Sequence, residues 1–193
     1  MVIRPLFFEF PGDANLLSND KQFFLWDSLL FSPVLTQGAT SVTAYLPAGR
    51  WYDFYTHEPL GFPQGMSVLL PAPLEKIPIH IRGGKIVPTQ TPAYTTYETS
   101  VSDYILLVAL DGAGFASGKL YLDDGISLGV GATNSSIIDF AASTSNNVGK
   151  LVSQLLFKLE WVLNGINPHS VPDEIIDLLW ALQLYCREQN CGD

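Results

Sequence analysis

From Leu29 to Gly118 the apolar residues come in short runs at regular spacing, and each run is cut off by turn chemistry. The runs are Leu29 to Val34, Ser41 to Leu46, Trp51 to Tyr55, Ser67 to Leu70, Ile77 to Ile81, Ile86 to Val87 and Asp103 to Leu110. Between them stand Ala48-Gly49, Gly61-Phe62-Pro63-Gln64-Gly65, Pro71-Ala72-Pro73 and Gly83-Gly84, which form turns and make poor helix interior. Many short strands joined by Gly/Pro turns, with no helical pattern between them, predict a mainly β fold built on an antiparallel β-sandwich.

The stretch from Ile77 to Gln90 is the most structured of these. His80 and Arg82 fall on one face of a strand and Ile77, Ile79 and Ile81 on the other, which predicts a half-buried strand with a polar outer face. Gly83-Gly84 supplies the positive φ angles of a tight reversal between paired strands, and Pro88 closes the next run. His80 reads as a surface or interface histidine, since no second histidine lies at metal-ligand spacing.

Wording as well as pattern is informative here. Ile77-Pro78-Ile79-His80-Ile81-Arg82-Gly83-Gly84-Lys85-Ile86-Val87-Pro88-Thr89-Gln90, Trp26-Asp27-Ser28-Leu29-Leu30-Phe31-Ser32-Pro33-Val34 and Ala44 through Tyr55 resemble segments that follow the catalytic barrel in glycoside hydrolase family 31, of the α-glucosidase, sucrase-isomaltase and maltase-glucoamylase type. Asp27 stands where that family has Gly after Trp. Gly118 through Leu128, with Leu120-Tyr121-Leu122-Asp123-Asp124-Gly125, resembles the start of the family's distal sandwich. The resemblance fades after Leu156. It implies residues 1–28 as the end of the barrel, 29–118 as a proximal C-terminal sandwich and 119–160 as a partial distal β domain; residues 161–193 depart from the family pattern and read as a divergent, helical tail. Arg4-Pro5-Leu6-Phe7-Phe8-Glu9-Phe10 would then be an orphaned barrel strand, exposing Leu6, Phe7, Phe8 and Phe10 to water and inviting self-association.

The tail has its own helix signal. Ser170-Val171-Pro172-Asp173-Glu174 combines a capping Ser, a first-turn Pro and acidic residues at the positive end of the dipole. Ile175, Ile176, Leu178, Leu179, Leu182 and Tyr185 then repeat at helical spacing as one buried face.

Composition narrows the partners. Hydrophobic residues make 47% of the 193 and charged ones only 15%, as expected of a chain largely interior to something larger or bearing an apolar interface. A net charge of −9 disfavours nucleic acid and anionic membrane and is indifferent to a neutral polyol. The amino terminus lacks the pattern of a secretory signal, and no apolar run reaches the ~20 residues of a membrane span. The resemblance nevertheless implies lysosomal or secretory relatives, and Asn134-Ser135-Ser136 is an acceptor sequon. Cys186 and Cys191 are five apart with no zinc ligand set near them except His169, which leaves free thiols or a local bridge.

No catalytic, cofactor-binding or metal-binding residue emerges. A family 31 hydrolase needs two carboxylates ~5 Å apart on a barrel of roughly 250 residues. The Trp-x-Asp-Met-Asn-Glu motif that supplies one of them is missing here. Asp123 and Asp124 are neighbours before a Gly turn; on a strand they point to opposite faces and serve the turn itself. Trp51, Tyr52 and Tyr55 could stack on sugars, but their alternation assigns them to core and interface. Two functions follow. The chain is a non-catalytic C-terminal part of an α-glucosidase-type hydrolase, meeting α-glucosides or oligosaccharides only through a parent barrel; alternatively it is a small carbohydrate-binding or protein-interaction module derived from that part.

Overall fold

A computed structural model describes residues 1–123, 135–145 and 148–158. The expected C-terminal helix lies outside these residues, as do His169, Cys186, Cys191, Asp124 and Asn134. The elements run β1 (Ile3–Arg4), α1 (Leu6–Glu9), a 3-10 turn (Ala14–Leu16), β2 (Phe23–Leu25), β3 (Leu29–Phe31), β4 (Ser41–Leu46), β5 (Gly49–Asp53), β6 (Pro59–Phe62), β7 (Met66–Pro71), β8 (Ile79–Arg82), β9 (Lys85–Gln90), α2 (Thr96–Ser100), β10 (Tyr104–Ala109), β11 (Phe115–Asp123), β12 (Ser135–Ser145) and β13 (Val148–Lys158). The chain is mainly antiparallel β, as the run-and-turn pattern predicts.

It divides into two compact units. One comprises Met1–Lys85 with Ala109–Ala113, the other Ile86–Val108 with the residues from Gly114 onward. In the first unit a six-stranded sheet runs β1-β2-β3-β8-β5-β6, and β4 pairs with β7 as a separate ribbon. Leu6, Leu16, Phe24, Leu30, Leu46 and Trp51 form its core, with Tyr45 and Val68 of the ribbon packed against them. The sandwich is thus sheet against ribbon, closed by α1 and the 3-10 turn. Trp51 is buried with its indole N–H satisfied, donating to the Pro47 carbonyl at 2.8 Å.

The N-terminal segment differs from the expectation of an exposed strand. Residues 6 to 9 coil into one helical turn that buries Leu6 completely, and Phe7 and Phe10 pack on the core; of the four apolar residues only Phe8 is exposed. A helical turn lets Leu6 and Phe10, four apart, share one face.

The Gly-Gly turn also differs. It joins β8 to β9, but β8 pairs with β3 and β5 while β9 lies between β10 and β11, so the turn transfers the chain from one sheet to another. Its two glycines are needed for different reasons. Gly84 has φ +88, open to Gly at no steric cost, whereas a Cβ at Gly83 would stand 2.8 Å from the Arg50 carbonyl oxygen. Strand β9 runs through Pro88 to Gln90 instead of closing at the proline.

The second unit holds the strands of a sheet ordered β10-β9-β11-β12-β13. Ala116 opposite Ala142, Gly118 opposite Phe140 and Leu120 opposite Ile138 share one face, and Lys119 pairs with Asp139 on the other. A capping box on Thr95 and Glu98 starts α2.

Candidate functional site

Pairing registers place Phe24 opposite Leu30, Leu30 opposite His80, His80 opposite Asp53, and Trp51 opposite Arg82. Partners in register share a face, so His80 and Arg82 lie on the side of the sheet that carries the core residues Phe24, Leu30 and Trp51. The polar side of β8 faces inward rather than to solvent, and Ile81 on the other side is buried as well. His80 is buried, and its Nδ1 has no hydrogen-bond partner among the described residues. Loss of hydration holds the imidazole below its ordinary 6.5, with Asp53 acting upward and Lys76 downward. Arg82 is accommodated by two contacts: a 3.0 Å ion pair to Glu9, which also holds Arg4 at 2.6 Å, and the face of the Phe10 ring at 4.5 Å.

Asp53 caps the turn after β5. Its Oδ1 accepts from the N–H groups of Tyr55 and Thr56 at 2.8 Å each, and Lys76 approaches Oδ2 at 3.3 Å. Burial acts to raise this carboxyl, but those donors outweigh it and leave the pKa below 3.8. Asp27, where the resemblance has Gly, pairs with Lys85 at 2.5 Å just after Trp26, whose backbone is in the left-handed region at φ 58.

A second constellation comes from residues far apart in sequence. The Tyr45 hydroxyl donates to Asp13 Oδ2 at 2.7 Å and accepts from the Asn15 amide at 3.1 Å; Asp13 Oδ1 accepts from the Asn15 backbone and amide at 3.1 and 3.0 Å. The Tyr45 bond, against a smaller effect of burial and with help from Asn15, lowers the Asp13 pKa, while burial and Asp13 raise that of Tyr45. Two open depressions adjoin this trio. One, of about 510 Å³, is lined by Phe10, Asp13, Asn15, Tyr45, Pro63 and Gln64 among others; the second, of about 450 Å³, takes in Asn15, Asn19, Thr43, Tyr45 and Ser67. Gly65 closes the wall where a Cβ would run into the Tyr45 hydroxyl.

Tyr45 is positioned by Gln22. The buried Gln22 amide accepts from the Tyr45 N–H at 2.8 Å and donates to its carbonyl at 3.1 Å and to Ser32 Oγ at 2.9 Å. A side chain thus occupies the place of a neighbouring strand beside β4.

The other residues singled out in the sequence take structural places. Trp51 is core, Tyr52 donates to the Leu110 carbonyl at 2.7 Å, and the exposed Tyr55 donates to the Ile77 carbonyl with Lys76 over its ring. Asp123 ends β11. Among the described residues no three His, Cys, Asp or Glu side chains are grouped to hold a metal ion. Asp13, Asn15, Tyr45 and Gln22 went unnoticed in the sequence because each reads locally as turn or strand.

Residues 1–87 match the model of the glycosyl hydrolase family 31 C-terminal domain. The chain belongs to glycoside hydrolase family 31, in its C-terminal region. Similar family 31 proteins include an α-glucosidase of Mucor javanicus, 53% identical over 133 residues that are 67% of this chain and 15% of that protein. Glucoamylase 1 of Candida albicans is 43% identical over 155 residues, 79% of this chain and 16% of the relative. Among solved structures, the glucosidase II α subunit superposes with a TM-score of 0.72 at 30% identity, covering 80% of this chain and 17% of its own. A family 31 dextranase of Flavobacterium johnsoniae gives 0.69 at 28% identity over 78% of this chain and 18% of its own. The chain therefore spans about 15% of the length of its curated family 31 relatives.

Proposed function

We propose that this chain is a non-catalytic supporting region of an α-glucosidase-type hydrolase, which reaches α-glucosides only through a catalytic barrel docked on its first unit. Relatives of this chain include α-glucosidases and glucoamylases, and the matched model is that of the family's C-terminal domain. Residues 1–28 are read as the part adjoining the barrel, 29–118 as the proximal sandwich, 119–160 as a partial distal domain and 161–193 as the divergent tail.

The observation that carries this reading is an apolar edge held in fixed geometry. Val2, Ile3, Phe8 and Trp26 are each half or more exposed. Yet their backbone is anchored: the Trp26 N–H donates to the Val2 carbonyl at 2.6 Å, Ile3 pairs with Leu25, and Glu9 ties Arg4 to Arg82 of β8. Ordered, exposed apolar side chains at a sheet edge mark an interaction surface. Meanwhile the carboxylates of Glu9, Asp13, Asp27 and Asp53 are engaged in ion pairs, caps and hydrogen bonds.

Two measurements test this. The purified chain should release p-nitrophenol from an α-glucoside no faster than buffer, and turnover by the chain alone would refute the reading. Co-expressed with a family 31 barrel lacking its own C-terminal region, the chain should co-purify, and Ile3→Asp with Trp26→Asp should abolish co-purification while leaving the circular dichroism unchanged. Co-purification indifferent to both substitutions would also refute it. Among the described residues no helix is long and apolar enough to cross a membrane.

A further inference from the structure

We propose that the surface around Asp13, Asn15 and Tyr45 is a binding site for a neutral oligosaccharide. The two depressions share Asn15 and Tyr45, so they form one bipartite surface. Both depressions, of about 510 and 450 Å³, are open to solvent, which suits a ligand held on a surface with modest affinity.

The chemistry of the lining selects the ligand. In the larger depression, Tyr45 and Pro63 supply apolar surface against which the C–H face of a pyranose can lie, while Phe10 beside them carries Arg82 over a face of its ring. Its polar groups are planar and mostly acceptors. The Asp13 carboxylate takes three hydrogen bonds from Asn15 and Tyr45, which leaves about one of its roughly four acceptor positions open. Asn15 spends its amide hydrogens on Asp13 and Tyr45, and no hydrogen bond engages its Oδ1 or the exposed Gln64 amide among the described residues. A surplus of acceptors wants a ligand rich in O–H donors, and vicinal hydroxyls match a carboxylate or amide in pairs.

Charge excludes the nearest alternatives. The larger depression is lined by no Lys, Arg or His and carries the Asp13 carboxylate, and in the second Lys21 is offset by Asp20, so the surface offers a sugar phosphate no net positive charge. The geometry is also fixed before a ligand arrives. Gln22 pins Tyr45 through both its backbone groups, and the Asp13–Tyr45–Asn15 trio immobilises the side chains that would meet the sugar, which lowers the entropy cost of binding.

The experiment titrates the full chain with maltotriose, followed by calorimetry and by amide chemical shifts. A saturable Kd of about 1 mM is expected, with shifts confined to the neighbourhood of Asp13, Asn15, Tyr45 and Gln64. Gln64→Ala, on an exposed side chain, and Tyr45→Phe should each weaken binding about fivefold, as loss of one hydrogen bond does. No saturation at tens of millimolar, shifts centred elsewhere, or tighter binding of glucose 6-phosphate than of glucose oligomers would overturn the proposal, as would unchanged affinity in Gln64→Ala and Tyr45→Phe. Binding is read without turnover and without a barrel, so its outcome is independent of the docking and hydrolysis experiments above.

Discussion

Replacing Gln22 with Leu should destabilise the first unit out of proportion to the size of the change. The side chain is 7% exposed and makes four hydrogen bonds: to Ser32 Oγ, to the Tyr45 carbonyl, from the Tyr45 N–H, and from the Asn19 amide at 2.9 Å. Asn19, at the surface end, can turn to water. Ser32 is fully buried, and the two Tyr45 groups are partly so. Each stranded group costs about 1–3 kcal/mol, and taking the low end for all three gives about 3 kcal/mol. Leu returns roughly 1 kcal/mol by burying apolar surface, for a net loss of about 2 kcal/mol. With a urea slope near 2 kcal/mol/M the midpoint should fall by about 1 M, followed by Trp fluorescence and far-UV circular dichroism. Ser32→Ala supplies the internal check, because in the double variant Ser32 is no longer stranded and the two losses should sum to less than their separate values by about 1 kcal/mol. A midpoint within about 0.2 M of the parent, or strict additivity with Ser32→Ala, would show that Gln22 does not hold β4 in place.

Three further outcomes are expected. Leu6→Ala should cost about 2–5 kcal/mol in a denaturant melt and Phe8→Ala less than about 0.5, since one side chain is sealed in the core and the other half in water; equal losses would deny that α1 belongs to the sandwich. Gly118→Ala should destabilise by about 1–3 kcal/mol in the same assay, because its Cβ would collide with the Ile86 carbonyl and lie 2.8 Å from the Ile86 Cβ; a neutral result would mean that β9 and β11 can move apart freely. His80 has a pKa below 6.5 in the folded chain, so the unfolded chain binds more protons: the stability it contributes is complete above about pH 6.5 and declines as pH falls toward the depressed value. Melts from about pH 7 to pH 5 should show that slope reduced in His80→Leu, and an unchanged slope would assign it to other groups.

Period and punctuation were legible in the sequence; the sense of each face was not. Ser41 to Leu46 is a strand with the predicted bounds, and the runs at Trp51, Ser67, Ile77, Ile86 and Asp103 all contain strands within a few residues of where they were placed. Alternation reports only that two faces differ. Strand β8 shows the limit: Ile81 is buried and so is His80, because the strand lies inside a sheet with side chains packed on both sides. Nothing within Ile77 to Arg82 could reveal that Glu9 and Phe10 would come to meet Arg82, a contact separated by more than seventy residues. The family wording, by contrast, was legible because short motifs around glycines encode backbone geometry locally. Gly83 and Gly84 are such a case, although wording alone did not reveal that they link two sheets.

The same distinction explains why polar residues of this chain divide into legible and hidden roles. Thr95 with Glu98, and Asp53 with the N–H groups that follow it, act within a few residues, and local rules for caps and turns find them. Gln22, Tyr45 and Asp13 act across 23 and 32 residues, and their value depends on a fold already formed. A buried amide that imitates a strand partner stabilises only if Tyr45 is delivered to it by the β4–β7 ribbon, and Asp13 meets Tyr45 only once Leu16 has anchored the 3-10 turn in the core. The polar network is therefore a consequence of the sandwich, and any ligand site built on it inherits the stability of the core beneath. Weakening Gln22 should loosen the oligosaccharide surface before it unfolds the sheet, since the Tyr45 backbone is released at one edge while Phe24, Leu30 and Trp51 stay packed.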